Sequence, residues 1–180
     1  MQFMSWVRLG VAAALITTGA MADGGGTSFS ASVIGSAPSL TIGGVPSGSV
    51  QWRVSQSNAS LSTSGAGQAQ LQVQVQGLVI ATGSAIGTTG SVHMVSASVV
   101  CGGSGGSVVV STPGVVLSLG GNAQIQANVP LVGACRAPVI LVRAFDPSAE
   151  QGSQLGSFIA STGLAARSGN SELGEPDQDH

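Results

Sequence analysis

The chain has 180 residues, of which 43% are hydrophobic and only 7% charged, against about a quarter charged in an ordinary soluble domain. Its basic residues are five arginines and no lysine, too few for the cationic footprint of a nucleic-acid binder. Two histidines and seven acids leave little material for acid–base or metal-ligand chemistry, and glycine (28), serine (27) and valine (22) dominate where a helical surface would carry Glu, Lys and Arg.

Residues 1–22 have the layout of a cleaved secretory signal peptide. One cation, Arg8, precedes an apolar run from Leu9 to Ala20 broken only by Thr17, Thr18 and Gly19. Ala20-Met21-Ala22 supplies the small-x-small pattern for cleavage after Ala22. A membrane anchor needs about 20 predominantly apolar residues, more than this run provides, and no later stretch is long enough for a span. The expected organisation is a flexible start at 23–27, one domain at 28–163 and a disordered acidic tail at 164–180. After the cut, four arginines and seven acids give a net charge of −3, with Glu172, Glu175, Asp177 and Asp179 in the last nine residues. The body keeps only Arg53, Arg136, Arg143, Asp146 and Glu150.

Along the body the apolar residues repeat with period two, the strand signal. Candidate strands in chain order are 29–34, 49–55 with Val50, Trp52 and Val54 inward, and 59–63. In 68–76, Ala69, Leu71, Val73 and Val75 alternate with glutamines. Next come 92–101, with Val95, Ala97, Val99 and Cys101 inward, then 108–111 and 115–119. In 123–131, Ala123, Ile125, Ala127, Val129 and Leu131 alternate with Gln and Asn. The last two are 138–145, whose unbroken run Val139 to Val142 suits a central strand covered on both faces, and 158–162. Glycine-rich clusters at 43–44, 65–67, 102–106 and 120–121 read as turns, and 147–155 as one short turn of helix. Nine or ten short strands with such turns predict an all-β fold, an antiparallel two-sheet sandwich.

Cys101 and Cys135 are the only cysteines. In an exported chain they are expected to pair as a structural disulfide. Closing about 35 residues, such a bridge stabilises by about 3.5–4 kcal/mol in the chain-entropy treatment.

Few residues offer chemistry. Gly102-Gly103-Ser104-Gly105-Gly106 matches G-x-S-x-G, but that motif needs a strand-to-helix turn, and Val108-Val109-Val110 follows it as a strand. The order Ser104, Asp146, His180 fits a triad, although His180 ends the tail. Asp146 and Glu150 could serve as a glycosidase pair only about 5–10 Å apart across a cleft. His93 falls in the strand at 92–101 with no evident partner. Trp52 shares a face with Val50 and Val54 and reads as a core anchor rather than a sugar platform. Arg143 shares a side with Val139, Leu141 and Phe145, which makes it either an ion-pair partner of Asp146 or Glu150 or a side chain that snorkels. Asn58-Ala59-Ser60 is a glycosylation sequon in a eukaryotic secretory pathway. The acids of the tail lack the spacing of a calcium loop.

Three stretches carry a resemblance: Leu71-Gln-Val-Gln-Val-Gln-Gly-Leu-Val79, Val95-Ser-Ala-Ser-Val-Val-Cys101 and Gly121-Asn-Ala-Gln-Ile-Gln-Ala-Asn-Val129. With Cys135-Arg-Ala-Pro138 and the closing Phe158-Ile-Ala-Ser-Thr-Gly163, the chain over 50–163 resembles a group of small secreted bacterial proteins that have one cysteine pair and no assigned function. The resemblance implies an exported β-sandwich and carries no catalytic residue.

The expected function is that of a secreted, non-catalytic structural, cell-surface or binding module. It is expected to use no cofactor, metal or nucleic acid, and its partner would be a cell-wall or extracellular surface. The alternatives are a secreted hydrolase using Ser104 or Asp146/Glu150, and a self-assembling extracellular β protein whose Gln strands form ladders at an exposed edge.

Overall fold

Alternation of small apolar and amide residues produces strands with one buried and one wet face, and the chain builds most of one sheet this way. The computed structural model describes residues 28–63 and 67–163. The first sheet has four antiparallel strands in the order β1 (Ser28–Ala31), β6 (Gln56–Thr63), β7 (Gln68–Gln76) and β12 (Ala123–Pro130). The second sheet runs β10 (Ser107–Ser111), β9 (Met94–Cys101), β13 (Val139–Phe145), β14 (Leu155–Ser161) and β2 (Ile34–Gly35). Within it, β11 (Val115–Val116) pairs with the start of β9. Two ribbons complete the described strands: β3 (Thr41–Ile42) with β4 (Val45–Pro46), and β5 (Trp52–Arg53) with β8 (Val79–Ile80). The all-β, antiparallel two-sheet sandwich expected from the pattern is the observed architecture.

The two sheets bury their facing sides in one core. The first contributes Ala59, Leu61, Leu71, Val73, Val75, Ile125 and Val129, the second Val95, Ala97, Val99, Ile140, Val142 and Ala160. Trp52 is buried in the same core, so it anchors packing and offers no stacking platform. The far side of the second sheet is covered too. There Val100, Val139, Leu141 and Phe158 pack under Ile42 and Val45 of the β3–β4 ribbon. The central strands β9 and β13 are therefore buried on both faces, as the apolar run at Val139 to Val142 implies. No described element covers the outer side of the first sheet.

Several expected elements differ, each for a non-local reason. The run at 29–34 is two strands: β1 pairs with β6, the chain crosses over, and β2 pairs with β14 in the other sheet. Ser57 holds the crossing, its Oγ accepting from Val33 N–H and donating to Val33 C=O, both at 2.8 Å. The run at 49–55 pairs only at Trp52–Arg53, which leaves Val50 at 38% exposure rather than inward. In β9 the supposed wet positions Ser96 and Ser98 are fully buried. Ser96 Oγ donates to Thr112 C=O at 2.6 Å, and Ser98 Oγ lies 2.7 Å from Ser111 Oγ. The run at 115–119 pairs only at Val115–Val116, because Ser118 and Asn122 close a turn. The 147–155 stretch forms turns and then enters β14, not a helix. The proposed signal peptide 1–22 with cleavage after Ala22, the segment 23–27 and the tail 164–180 with His180 lie outside the described residues. No helix among the described residues is long and apolar enough to cross a membrane.

Candidate functional site

Cys101 and Cys135 form the expected disulfide, with Cα atoms 5.1 Å apart. It ties the end of β9 to the connection between β12 and β13, beside the hairpin that carries Ser104. That hairpin joins β9 to β10 through a single 3₁₀ turn at Gly103–Gly105. Gly102 and Gly103 have φ of 98° and 73°, a region that side chains other than glycine avoid. The glycines thus serve a tight strand-to-strand turn. Ser104 is exposed, and its carbonyl accepts from Gly43 N–H at 2.9 Å.

Strand direction separates Ser104 from the acids. β13 runs antiparallel to β9, with Val139 opposite Val100 and Ala144 opposite Val95. Asp146 therefore lies beyond the Met94 end of β9, whereas Ser104 lies beyond the Cys101 end. At about 3.3 Å per residue, the strand places them roughly 25 Å apart. No triad forms between them.

Asp146 and Glu150 share the exposed turn after β13. The Asp146 carboxylate accepts from Ser148 Oγ at 2.6 Å and from Ser148 N–H at 2.9 Å. These bonds hold its pKa below the ordinary aspartate value, the hydroxyl bond first. The carboxylate thus closes an Asx turn. Arg143, the proposed ion-pair partner, instead donates from Nε to Gly156 C=O at 2.8 Å and from a terminal nitrogen to Leu155 C=O at 2.9 Å. The register of β13 against β14 shifts on both sides of Arg143, so its guanidinium fills a gap in the backbone ladder. Partial burial lowers its pKa.

A shallow groove of about 580 Å³ opens at this end of the second sheet, with Val92, His93, Met94, Phe145, Asp146 and Gln154 on its walls. His93 precedes β9 rather than lying within it. Asp146 lines the same groove, a juxtaposition that leaves no mark in the sequence because the pairing of β9 with β13 creates it. Ser91 and Ser153 also line the groove, but Glu150 does not. Among the described residues no hydrogen bond joins His93 to Asp146 or to either serine, and the carboxylate is already committed to Ser148. The groove gathers residue types that hydrolases use, a histidine, two serines and a carboxylate, at one end of the second sheet.

The outer side of the first sheet presents a regular array of amide and hydroxyl side chains. Asn58, Gln74 and Gln124 stand opposite one another on adjacent strands; so do Ser30, Ser60, Gln72 and Gln126, and Ser28, Ser62, Gln70 and Asn128. Adjacent strands put neighbours within a row about 4.8 Å apart. Not one of these residues is charged or aromatic, and Ser30 Oγ donates to Asn58 Oδ1 at 3.2 Å. A depression of about 270 Å³ lies between Gln56, Ser57, Asn58, Gln74 and Gln76. Among the described residues no three His, Cys, Asp or Glu side chains gather as a metal site.

No family model matches the chain, and neither a curated protein nor a solved structure matches it.

Proposed function

We propose that the chain is an exported, non-catalytic β-sandwich module whose working surface is the amide and hydroxyl face of the first sheet, acting at the cell wall or another extracellular surface. The observation that carries this reading is the ordered, uncharged array of Asn, Gln and Ser across β1, β6, β7 and β12. Amide groups both donate and accept, so such a face suits a neutral, hydrogen-bonding surface. The disulfide supports an oxidising location. The separation of Ser104 from Asp146, and the turn and ladder roles of Asp146 and Arg143, support a non-catalytic reading.

The test is fractionation of producing cells into medium, wall and membrane, followed by capture of what co-fractionates. The wild type should be recovered outside the cell membrane with a surface component, and Gln72→Glu with Gln74→Glu should release it while leaving the fold intact. Turnover of esters, glycans or peptides that is abolished by Ser104→Ala, Asp146→Asn or His93→Ala would overturn the reading in favour of a secreted hydrolase.

A further inference from the structure

The strand β12 is the last of its sheet and pairs with β7 without interruption, from Ala123 opposite Val75 to Pro130 opposite Gln68. In an antiparallel ladder, alternate residues bond to the partner strand and the others point away from it. Leu131 N–H donates to Gly67 C=O at 2.9 Å, which sets the phase. Val129, Ala127 and Ile125 bond to β7, and Gln124, Gln126 and Asn128 turn their backbone N–H and C=O outward. Natural sheets protect such an edge with lysine, proline, a bulge, an inward charge or a covering segment. β12 has no charge and no bulge, its proline, Pro130, stands only at its last position beyond Gln124, Gln126 and Asn128, and no described strand pairs with its outer side.

A second observation coincides with the first. The three most exposed large hydrophobic residues described are Val132 (95%), Leu119 (82%) and Val116 (71%), and all lie at the two ends of β12. Leu119 sits in the turn before it, and Val116 lines a depression with Asn122 and Gln124. Val132 follows the strand and shares a depression with Val109 and Pro130. An edge that no described strand covers, with exposed apolar residues at both ends, offers an incoming strand backbone partners along its length and apolar contacts at its ends.

We propose that β12 is a self-association strand that pairs antiparallel with β12 of a second copy of this chain, across a two-fold axis at Gln126. This register places Gln126 opposite Gln126 of the second copy and Gln124 opposite Asn128, so the outward backbone groups bond to one another. It also brings Leu119 and Val116 of each copy to Val132 and Val109 of the other. The wet faces of both sheets join into one amide surface of eight strands, and the buried faces stay continuous. The occupant is a second copy because the edge complements itself: it is neutral, its amides supply donors and acceptors alike, and its apolar ends exchange under the two-fold. The contact is small and lacks aromatic anchors, so association is weak and concentration-dependent. It deepens the surface-module reading by doubling the same face.

Sedimentation equilibrium of the purified exported protein, with its disulfide formed, should show a monomer–dimer equilibrium at roughly 10–100 µM. Gln126→Pro removes only an outward N–H, which an edge strand tolerates, and should yield a monomer with near-wild-type circular dichroism. Gln126→Lys and Gln126→Glu should each be monomeric, while their mixture forms a heterodimer that salt weakens. Val132→Asp, at a residue 95% exposed and thus outside the core, should raise the dissociation constant roughly tenfold or more. A chain that stays monomeric over this range overturns the pairing, whether its edge is open or taken by another segment of itself. So does a dimer indifferent to the charge variants and Val132→Asp. A monomer that still co-fractionates with a surface component overturns the pairing and leaves the surface-module reading standing.

Discussion

Arg143 donates to the backbone carbonyl of Gly156 at 2.8 Å, inside the sheet rather than out to an acid. A second bond runs to Leu155 C=O at 2.9 Å. The side chain thus takes the place of backbone donors where the β13–β14 register slips. Arg143→Met keeps much of the apolar stem but leaves both carbonyls without these donors, and should cost about 1–3 kcal/mol in urea unfolding. Arg143→Lys should recover part of the loss, since one ammonium lacks the planar fork. An ion pair would instead make the variant of the paired acid, Asp146→Asn or Glu150→Gln, comparably damaging, whereas Glu150→Gln should be nearly neutral and Asp146→Asn should lose only what the Ser148 bonds to the charged carboxylate contribute.

The Cys101–Cys135 bridge closes a loop of sequence separation 34 that contains β10, β11 and β12. Removing both sulfurs as Cys101→Ser with Cys135→Ser should lower stability by about 3.5–4 kcal/mol, read as the shift in denaturation midpoint between the oxidised wild type and the variant. An equal midpoint for the two proteins would refute the structural role.

The Asp146 carboxyl should titrate below the ordinary aspartate range, because Ser148 Oγ and N–H bond to its charged form. A folded pKa below the unfolded one contributes stability that is present above the unfolded pKa and is lost as pH falls through the folded value. Carbon-13 NMR of the side-chain carboxyl measures the midpoint directly. Ser148→Ala should raise it towards the ordinary value, whereas Ser148→Thr should hold it down.

Leu71 and Gln72 are neighbours on β7 with opposite fates, one fully buried and the other exposed. Leu71→Ala should cost about 2–5 kcal/mol through lost burial and the cavity left behind. Gln72→Ala should stay within about 0.5 kcal/mol. Equal effects would mean that the sheet does not present its amide face to solvent.

Much of the first sheet was legible because one of its faces is wet. In β7 and β12 the contrast between valine or leucine and glutamine reports the two environments directly. The second sheet was harder. Ser96 and Ser98 look solvent-facing in sequence, yet Thr112 and Ser111 satisfy them inside the protein. The split of 29–34 between sheets left no local mark, since the alternation from Phe29 to Ile34 runs through the crossing that Ser57 secures from another strand. Two-residue pairings such as β3 with β4 and β5 with β8 are likewise too short for a period to show.

The sequence by itself determined the strand character of the long strands, the glycine-rich turn at 102–106, the cysteine pairing and the near absence of charge from the body, because period, glycine placement and composition are local quantities. Only the tertiary structure decided which strands sit side by side. Strand order put Ser104 and Asp146 at opposite ends of β9, brought His93 and Asp146 to one groove, covered the second sheet on both faces and left β12 at an edge. Those outcomes depend on pairings between residues far apart in the chain, and backbone hydrogen bonds carry no record of their partner in the side-chain pattern.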